Sequence, residues 1–355
     1  MYVKIVLGRG GTGLKLNKAY YEGGKPSWEF LSGLLSMFPI RDPDLIVGPS
    51  IGEDAAIIRF KDGFLIVHSD PITAATRRIG WLAVHIAAND IAVRGAKPRW
   101  LLPVILMPPK HSLEQIESIF RDIGSAAQSL DATVIGGHTE FTPGIPRPII
   151  SMTAIGYSMD KVVLTRNARP GDKIFVIGRV GGEGASVIAW DFEDLLLRKG
   201  ISRDIIATAK EYFTDISIVD KALLIRDYAN SMHDPTEGGL LQGLREVAKA
   251  SNTRIILDAD KVVLDPIVKE ITSTLELDPL KILSSGALIA SVPGENTRQV
   301  EDLLKEKGYK YSIAGYISEH VRGGELIVNQ NGKTIRIIED VVDEIYKLWS
   351  RDSYI

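Results

Sequence analysis

Strand-like and helix-like segments alternate along the chain, and this alternation limits the fold more than any other feature of the sequence. AAIIRF and FLIVHSD flank the turn KDG, which predicts a β-hairpin over residues 54–69. RRIGWLAVHIAANDIAVRG then has apolar residues at helical spacing over 79–93 and ends at Gly95, a residue type that commonly ends helices. A strand around RWLLPVILMP, a helix over 112–130 and the strands ATVIGG and RPIISMTAIG follow. The order of these elements predicts an α/β or α+β fold.

A polar segment with proline and glycine, MDKVVLTRNARPGD, separates two such alternating halves. After it the chain restarts with KIFVIG, the glycine turn RVGGEG and the helix ASVIAW. Long amphipathic helices are predicted near 203–228 and 237–249, followed by the strands RIILD and ALIASV, a further helix and a closing strand and helix. Because 355 residues exceed the length of one typical core, we predict two domains, 1–158 and 159–355.

The composition is that of an ordinary soluble protein and excludes several classes of function. Apolar residues make up 45% and charged residues 25%, with a net charge of -3, so neither a nucleic acid nor a membrane is predicted as a partner. The N-terminus lacks the order of a signal peptide, and we expect a cytoplasmic protein. The sequence has no cysteine, which excludes disulfides, thiolate metal sites and cysteine nucleophiles within it. Six histidines without an HExxH motif argue against a zinc hydrolase.

The N-terminal stretch GRGGTG contains the pattern GxGxxG at Gly8, Gly10 and Gly13. A dinucleotide site needs a long following helix and an acidic residue roughly 20 positions later at the end of a second strand, and neither is present. The stretch also fails as a Walker A loop, because Leu14 stands where the phosphate-binding lysine is required. A flexible or differently used glycine loop is the preferred interpretation.

Four aspartates end or interrupt apolar segments: Asp54, Asp70, Asp90 and Asp234. Asp90 follows Asn89 inside an apolar helix, where a charge is costly unless it is paired or binds a metal; the alternative is an Asn-Asp pair facing the solvent. Asp70 precedes a proline and has an alternative as a turn or helix-capping residue. Several aspartates that converge on one cleft would suit Mg-ATP, since Mg²⁺ takes carboxylate and phosphate oxygens.

Two glycine-bearing motifs supply further candidates. In VIGGHTE, Gly136 and Gly137 would let the backbone approach a ligand closely, with His138 and the two polar residues after it pointing into the same cleft. A structural role for the histidine is the alternative. In HDPTEGGL, Thr236 would cap a helix whose free N–H groups receive a phosphate, or the segment is simply a helix start rich in glycine.

The motifs GEDAA, SDPIT, IGWLAVHIAANDIAVRGAKP, VIGGHTE, HDPTEGGL and SSGALIA stand in the order of one superfamily. The chain resembles aminoimidazole ribonucleotide (AIR) synthase, the hydrogenase-maturation protein HypE, thiamine-monophosphate kinase and selenophosphate synthetase. The resemblance covers roughly Ile51 to Pro293. GGHTE and DPTEGG resemble the HypE-like, AIR-synthase-related branch most closely.

The resemblance implies two α/β domains, of which the first pairs with its copy in a homodimer through its strands, and a site for ATP with Mg²⁺ along the groove between the domains. The implied metal ligands are Asp54, Asp70, Asp90 and Asp234. The implied catalytic residues are Asp90, His138 and Asp234. The implied ATP-binding residues are Gly10, Gly11, Asp54, Asp70, Asn89, Gly136, Gly137, Thr139, Glu140, Thr236 and Glu237. His138 stands where the kinase branch has an aspartate and AIR synthase a glutamate.

The family reaction is transfer of the γ-phosphoryl group of ATP to an amide-like or carboxyl-like oxygen, and we expect an ATP- and Mg²⁺-dependent enzyme of this kind. HypE uses a C-terminal cysteine as the acceptor, whereas this sequence ends LWSRDSYI. Selenophosphate synthetase commonly has a cysteine or selenocysteine near its N-terminal glycines, and GRGGTG has neither. The expected acceptor is therefore a small molecule or a group on a partner protein. The alternatives are a non-catalytic nucleotide-binding scaffold and a small-molecule kinase of the thiamine-monophosphate type.

Overall fold

The computed structural model describes residues 28–38, 41–50, 52–73, 77–110 and 112–352. The chain divides into two compact units, Met1–Ile40 and Arg41–Ile355. The described part of the first unit contains one helix, α1 (Trp28–Leu35). The glycine stretch with Gly10 and Gly11 lies outside the described residues, so the ATP-binding role that the resemblance implies for these two glycines stays a prediction.

The second unit begins with a mixed seven-stranded sheet in the order β1-β2-β3-β7-β4-β5, with β6 paired to β4. Its strands are β1 (Leu45–Val47), β2 (Ala56–Phe60), β3 (Gly63–Ile72), β4 (Lys97–Met107), β5 (Thr133–Val134), β6 (His138–Phe141) and β7 (Ile149–Ser158). The predicted hairpin is β2–β3, and Lys61 turns the chain between them with a φ of 54°. β5 and β6 run parallel to β4, whereas the other neighbours are antiparallel.

Two helices lie at the predicted positions and pack against this sheet: α2 (Ile79–Val93) and α3 (Leu113–Ser129). Every residue of α2 except Trp81 is buried, so the predicted solvent-facing alternative for the Asn-Asp pair is wrong. The helix is buried all round because one side joins the core of the first sheet and the other, through Ala88 and Ala92, joins a core built by the rest of the unit. A capping box of Ser112 and Gln115 begins α3.

A second seven-stranded sheet follows, in the order β14-β13-β10-β12-β8-β11-β9. Its strands are β8 (Lys173–Gly178), β9 (Ser231–His233), β10 (Thr253–Asp258), β11 (Ala287–Val292), β12 (Tyr311–His320), β13 (Glu325–Gln330) and β14 (Lys333–Ile337). The accompanying helices are α4 (Gly182–Asp191), α5 (Glu193–Arg198), α6 (Arg203–Lys210), α7 (Val219–Ile225), α8 (Gly239–Ser251), α9 (Pro266–Thr274), α10 (Thr297–Glu306) and α11 (Tyr346–Asp352). The two sheets thus fall on either side of 159–172, and the exact domain boundary stays a prediction.

The continuous helix predicted near 203–228 is wrong, because the structure has α6, a 3-10 turn and α7 there. The side chain of Asn89 explains the interruption between the turn and α7. Its amide nitrogen donates to the carbonyl of Ile216 at 2.9 Å, and its oxygen accepts from the N–H of Ile218 at 2.9 Å. These backbone groups are therefore held by a side chain of α2 rather than by a helical ladder. No helix in the described ranges is long and apolar enough to cross a membrane.

Candidate active site

A fully buried arginine, Arg94, follows α2 and organises the candidate site. Its Nη1 donates to Glu53 Oε2 at 2.5 Å, and its Nη2 donates to Asp54 Oδ2 at 3.0 Å and to Thr165 Oγ1 at 2.8 Å. The same Nη2 lies 2.6 Å from the carbonyl oxygen of Met232. One guanidinium thus holds the loop before β2, the segment between the sheets and strand β9 together.

Asp54 also contacts the imidazole of His233, which lies between two carboxylates. Nδ1 of His233 is 2.8 Å from Asp54 Oδ2, and Nε2 is 2.8 Å from Glu246 Oε2. Burial alone would lower the pKa of His233, but the two carboxylates raise it well above its usual value. The imidazole is therefore protonated and donates from both nitrogens, which leaves neither nitrogen free to bind a metal.

Asp234 follows in the chain and is 2% exposed. Neither of its carboxylate oxygens has a hydrogen-bond partner among the described residues. Burial and the nearby charge of Asp54 raise the pKa of Asp234 to about 7. Asp54, His233 and Asp234 can each place a ligand atom within 4.8 Å of the others. A buried carboxylate without donors needs a proton or a cation, so the pair of aspartates fits a divalent metal ion.

Asp90 and Asp70 approach this cluster from α2 and β3. Asp90 is 8% exposed, and its Oδ2 lies 3.2 Å from Nε2 of His68. Burial acts to raise the pKa of Asp54, but the charges of His233, Arg94 and His68 together lower it. His68 is therefore also close to Asp54. Asp70 lies two residues after His68 on β3 and hence on the same face of the sheet.

The DPTEGG segment forms a second acidic group with Glu183 and Asp343. Burial raises the pKa of Glu183, and the charge of Asp70 adds to this effect. Burial likewise raises the pKa of Asp343 to about 7, although its carboxylate accepts from the N–H of Gly238 at 2.9 Å. Glu237 accepts a hydrogen bond from the hydroxyl of Tyr346 at 2.8 Å. A carboxylate of the first sheet, that of Asp70, therefore lies near a carboxylate from the part of the second unit that follows this sheet, that of Glu183.

The predicted capping role of Thr236 is wrong. The residue before α8 is Gly238, which makes no side-chain cap, and Gly238 and Gly239 both have positive φ values of 77° and 65°. These two glycines turn the chain into the helix, so its first turn begins three residues after Thr236. The threonine contributes its carbonyl oxygen instead, which accepts from the N–H groups of Gly239 and Ser284.

The GGHTE motif lies apart from the aspartates. Gly136, Gly137 and the residues of β6 are exposed, and His138 pairs with Glu140 at 3.2 Å. His138 of β6 pairs with Val104 of β4. Strand β4 pairs with β7, and β7 pairs with β3, so β6 and β3 are three strand spacings apart, which is about 14 Å. The structure does not bring His138, Thr139 and Glu140 into the Asp54 cluster, and their predicted roles stay predictions.

Sequence reasoning missed four residues of the site: Glu53, Arg94, His233 and Glu246. Two of them are direct neighbours of predicted residues, since Glu53 precedes Asp54 in GEDAA and His233 precedes Asp234 in HDPTEGG. Arg94 is the lone charge of the stretch AVRGA, a position that is normally interpreted as the exposed end of a helix. Only the fold shows that this position faces three other segments.

Comparison with known proteins gives the family. The sequence matches the profile described as AIR synthase related protein, N-terminal domain, over residues 52–158, and the corresponding C-terminal domain over 169–327. The chain belongs to the AIR synthase related family. The predicted resemblance is thereby confirmed, and Arg94 and the four aspartates lie within the two matched domains.

Relatives of this AIR synthase related protein include a Methanocaldococcus jannaschii protein named for hydrogenase expression and formation, 29% identical over 323 residues, which cover 87% of this chain and 93% of that protein. The thiamine-monophosphate kinase of Pyrococcus horikoshii is 27% identical over 282 residues, 76% of this chain and 84% of the kinase. Carbamoyl dehydratase HypE of Rhizobium leguminosarum bv. viciae is 27% identical over 260 residues, 70% of this chain and 71% of HypE. Named enzymes are therefore among the relatives of the AIR synthase related protein.

Solved structures share the fold of the AIR synthase related protein. A chain of the HypE-HypF complex superposes with a TM-score of 0.69 at 20% identity, covering 87% of this chain and 98% of that chain. A ThiL chain complexed with AMPPCP and TMP gives a TM-score of 0.68 at 20% identity, covering 86% and 93%. The predicted two-domain AIR-synthase-like fold of mixed α/β type is confirmed.

Proposed function

We propose that this protein is an ATP- and Mg²⁺-dependent enzyme that activates an amide-like or carboxyl-like oxygen by phosphoryl transfer. The observation that carries the proposal is the buried carboxylate of Asp234, which lacks hydrogen-bond partners among the described residues and lies beside Asp54. Such a pair of carboxylates is suited to a divalent cation with bound phosphates. The relatives named carbamoyl dehydratase and thiamine-monophosphate kinase support the same chemistry.

In this proposal Asp54 and Asp234 hold Mg²⁺, with Asp90 and Asp70 on the same side of the groove. The bound ion supplies neutralisation of the charge on the transferring phosphoryl group. Arg94 and the protonated His233 keep Asp54 ionised and fix its position, because both donate to its Oδ2. His68 fixes Asp90 in the same way. These contacts are made before a ligand arrives, so little reorganisation is needed on binding.

The transfer itself forms a bond from the acceptor oxygen to the γ-phosphorus and breaks the bond from that phosphorus to the β-γ bridging oxygen. ADP leaves with the electron pair of the broken bond. With an amide acceptor, the N–H proton then passes to the solvent. The 355 residues contain no cysteine that could act as a thiol acceptor. We therefore propose an acceptor on a small molecule or on a partner protein.

A small-molecule kinase is a second candidate, favoured by the kinase of Pyrococcus horikoshii among the relatives. The two candidates differ in the fate of the phosphoryl group, which stays on the product of a kinase but is released after dehydration. The HypE-HypF complex among the structural neighbours favours a partner protein as an alternative source of the acceptor. Product analysis with amides and phosphate monoesters distinguishes the oxygen-activating enzyme from the small-molecule kinase.

We further propose a cytoplasmic homodimer that forms through the open face of the first sheet. This face presents large apolar side chains, among them Phe60 at 45% and Val104 at 39% exposure. Pairing of two copies would bury them, and exposed apolar patches of this kind often mark interfaces. Analytical ultracentrifugation of the wild type and of Val104→Glu tests the dimer, and a monomeric wild type contradicts it.

Calorimetric titration with ATP, with and without Mg²⁺, tests the proposed function. We expect Mg²⁺-dependent binding for the wild type and a loss of at least tenfold in affinity for Asp54→Asn combined with Asp234→Asn. Asp131→Asn serves as the matched control, because that carboxylate is exposed and pairs with Lys97 outside the site. Unchanged binding in the double variant contradicts the metal site. Binding without turnover of any acceptor indicates the scaffold instead.

A further inference from the structure

The motif SSGALIA has no part in the contacts of the aspartate cluster, and its first three residues form a buried loop before β11. In this SSG loop (residues 284–286), the N–H of Ser284 donates to the carbonyl of Thr236 at 3.3 Å. The N–H of Ser285 donates to Oε2 of Glu183 at 3.2 Å. Thr236 belongs to the DPTEGG segment, and Glu183 belongs to the second acidic group. The SSG loop therefore holds two segments of the candidate site.

A buried lysine of α7, Lys221, contacts the last residue of the SSG loop. Its Nζ lies 3.1 Å from the carbonyl oxygen of Gly286, 3.3 Å from that of Ser217 and 3.6 Å from Oδ1 of Asp215. These three acceptors match the three N–H donors of an ammonium group. The ring centre of Tyr309 lies 6.0 Å from the same nitrogen, which also favours a cation. A Cβ atom at Gly286 would lie 2.5 Å from the carbonyl oxygen of Asp215, so the loop and the segment of Asp215 are in direct contact.

The charged groups around Lys221 include a second cation, Arg179. Its Nη1 lies 3.8 Å from Oδ2 of Asp215, and its Nε lies 3.3 Å from Oδ2 of Asp265. Burial lowers the pKa of Lys221 and Arg179 adds to this effect, whereas Asp215 and Asp220 act against it. Among these groups the carboxylates outnumber the cations, which favours the ammonium form of the lysine.

Lys221 also connects the SSG loop to α2. The segment that carries Asp215 and Ser217 is the one that Asn89 holds through two backbone hydrogen bonds. Asn89 immediately precedes Asp90 on α2. The ammonium of Lys221 therefore joins a loop that holds Glu183 to a segment that is fixed to the helix of Asp90.

We infer that Lys221 is a positioning residue for the proposed reaction. Its ammonium fixes the SSG loop against the segment that Asn89 holds, and so fixes Glu183 and the DPTEGG segment relative to the aspartates of β3 and α2. The inference rests on the proposed function for the reaction that this geometry serves. Asp54 is held separately by a guanidinium and an imidazole, so Lys221 should affect the transfer step more than the binding of Mg²⁺ and nucleotide.

Hydrogen exchange followed by mass spectrometry tests the position of the loop in the full chain without any ligand. Lys221→Met keeps the apolar stem and removes the ammonium. We expect the amides of residues 282–287 to exchange at least tenfold faster than in the wild type, while those of β10 exchange at the wild-type rate. Lys249→Met is the matched control, because the side chain of Lys249 is 15% exposed and its Nζ lies 3.8 Å from Asp340, outside the SSG loop.

Chemical rescue separates the ammonium from a general effect on packing. Lys221→Ala lacks the atoms from Cγ to Nζ, which n-propylammonium replaces. We expect n-propylammonium to restore slow exchange over residues 282–287 in this variant, and n-propanol, which has the same length without the charge, to have no effect. This arm decides the matter even if Lys221→Met is unstable.

The consequence for the reaction is measured as ADP formation from Mg-ATP and as AMPPCP binding by calorimetry. In Lys221→Met we expect ADP formation to fall at least tenfold and the Kd of AMPPCP to change less than threefold. In Lys221→Ala, n-propylammonium should restore ADP formation.

Unchanged exchange over residues 282–287 in Lys221→Met overturns the inference, and so does equal rescue by n-propanol. Parallel losses of AMPPCP affinity and ADP formation also overturn it, because they would indicate a general structural role. A wild type that neither binds AMPPCP nor forms ADP contradicts the proposed function instead, and the exchange experiments then still decide whether Lys221 holds the loop.

Discussion

Arg94 contacts Glu53, Thr165 and the carbonyl of Met232, and it is fully buried among them. Replacement by methionine keeps the apolar stem but leaves the buried carboxylate of Glu53 without its main partner. We expect Arg94→Met to lower the free energy of unfolding by about 3 to 5 kcal/mol, measured by urea denaturation.

The control for this prediction is Arg166→Gln. Nε of Arg166 lies 3.9 Å from Oε1 of the same Glu53, but its side chain is 42% exposed. Because the guanidinium of Arg166 keeps its contact with solvent and lies at the distance limit of an ion pair, this contact contributes less than about 1 kcal/mol, and the variant should unfold almost as the wild type does. Equal losses in the two variants would contradict the central role of Arg94.

His85 gives the protein a specific dependence on pH. Its two ring nitrogens are buried without hydrogen-bond partners in the described structure, and its ring lies 4.5 Å from that of Trp81. Burial lowers its pKa from 6.5 to about 4. Between these values the unfolded chain binds the proton and the folded chain does not, so this contribution to stability falls as the pH falls.

The wild type should therefore lose about 2 kcal/mol relative to His85→Phe between pH 7 and pH 5. Urea denaturation of both proteins at the two pH values measures the difference. Comparison with the variant cancels the contributions of other titrating groups, which are the same in both proteins. Among them are Asp234 and Asp343, whose raised pKa values increase the stability as the pH falls. Parallel losses in both proteins would show that His85 does not titrate as described.

The start of α8 depends on glycine at position 239. Its φ is +65°, and a Cβ atom there would lie 2.6 Å from the carbonyl oxygen of Ile282 and 2.7 Å from that of Leu280. Gly308 has a similar φ of +70°, but a Cβ atom at that position would meet no other atom within 4 Å. We expect Gly308→Ala to cost about 1 kcal/mol and Gly239→Ala about 2 to 4 kcal/mol in thermal or urea unfolding. Similar costs would show that backbone crowding does not fix this turn.

Periodic segments were predictable, whereas their junctions were not. The sequence predicts α2 and α3 correctly, because each has helical spacing and a clear end signal. It fails over 203–228, where amphipathic spacing continues but Asn89 takes up the backbone groups of Ile216 and Ile218. A hydrogen bond between residues so distant in the chain leaves no local signal.

The candidate site shows the same limit. Asp54, Asp90 and Asp234 were predictable, since acidic residues inside apolar segments need a partner. Arg94 and His233, which surround Asp54, come from other segments and were not identified. The motif order suggested one cleft for all the candidates, yet sheet pairing places β6 with His138 three strands from β3. Strand order decides this, and it cannot be read from the motifs.

The two sheets of the second unit should unfold together. Ala88, Ala92 and Val93 of α2 belong to the same core as residues of β8, α7 and β11, and Asn89 and Arg94 add buried polar contacts across the same boundary. Separation would expose this core and remove the contacts of Arg94 with Thr165 and with the carbonyl of Met232. We expect one calorimetric transition whose van't Hoff and calorimetric enthalpies agree. Two resolved transitions would contradict a shared core and indicate that each sheet is an independent unit.

The contacts of Arg94 also bear on how this sequence can vary among its descendants. Glu53 and Arg94 lie on different segments, yet each neutralises the other in a place without water. A lineage that loses the charge of Arg94 leaves the buried carboxylate of Glu53 without its main partner, so that change is expected to persist together with a change at position 53. Positions 53 and 94 should therefore covary, whereas Arg166, in contact with solvent, is free to drift on its own.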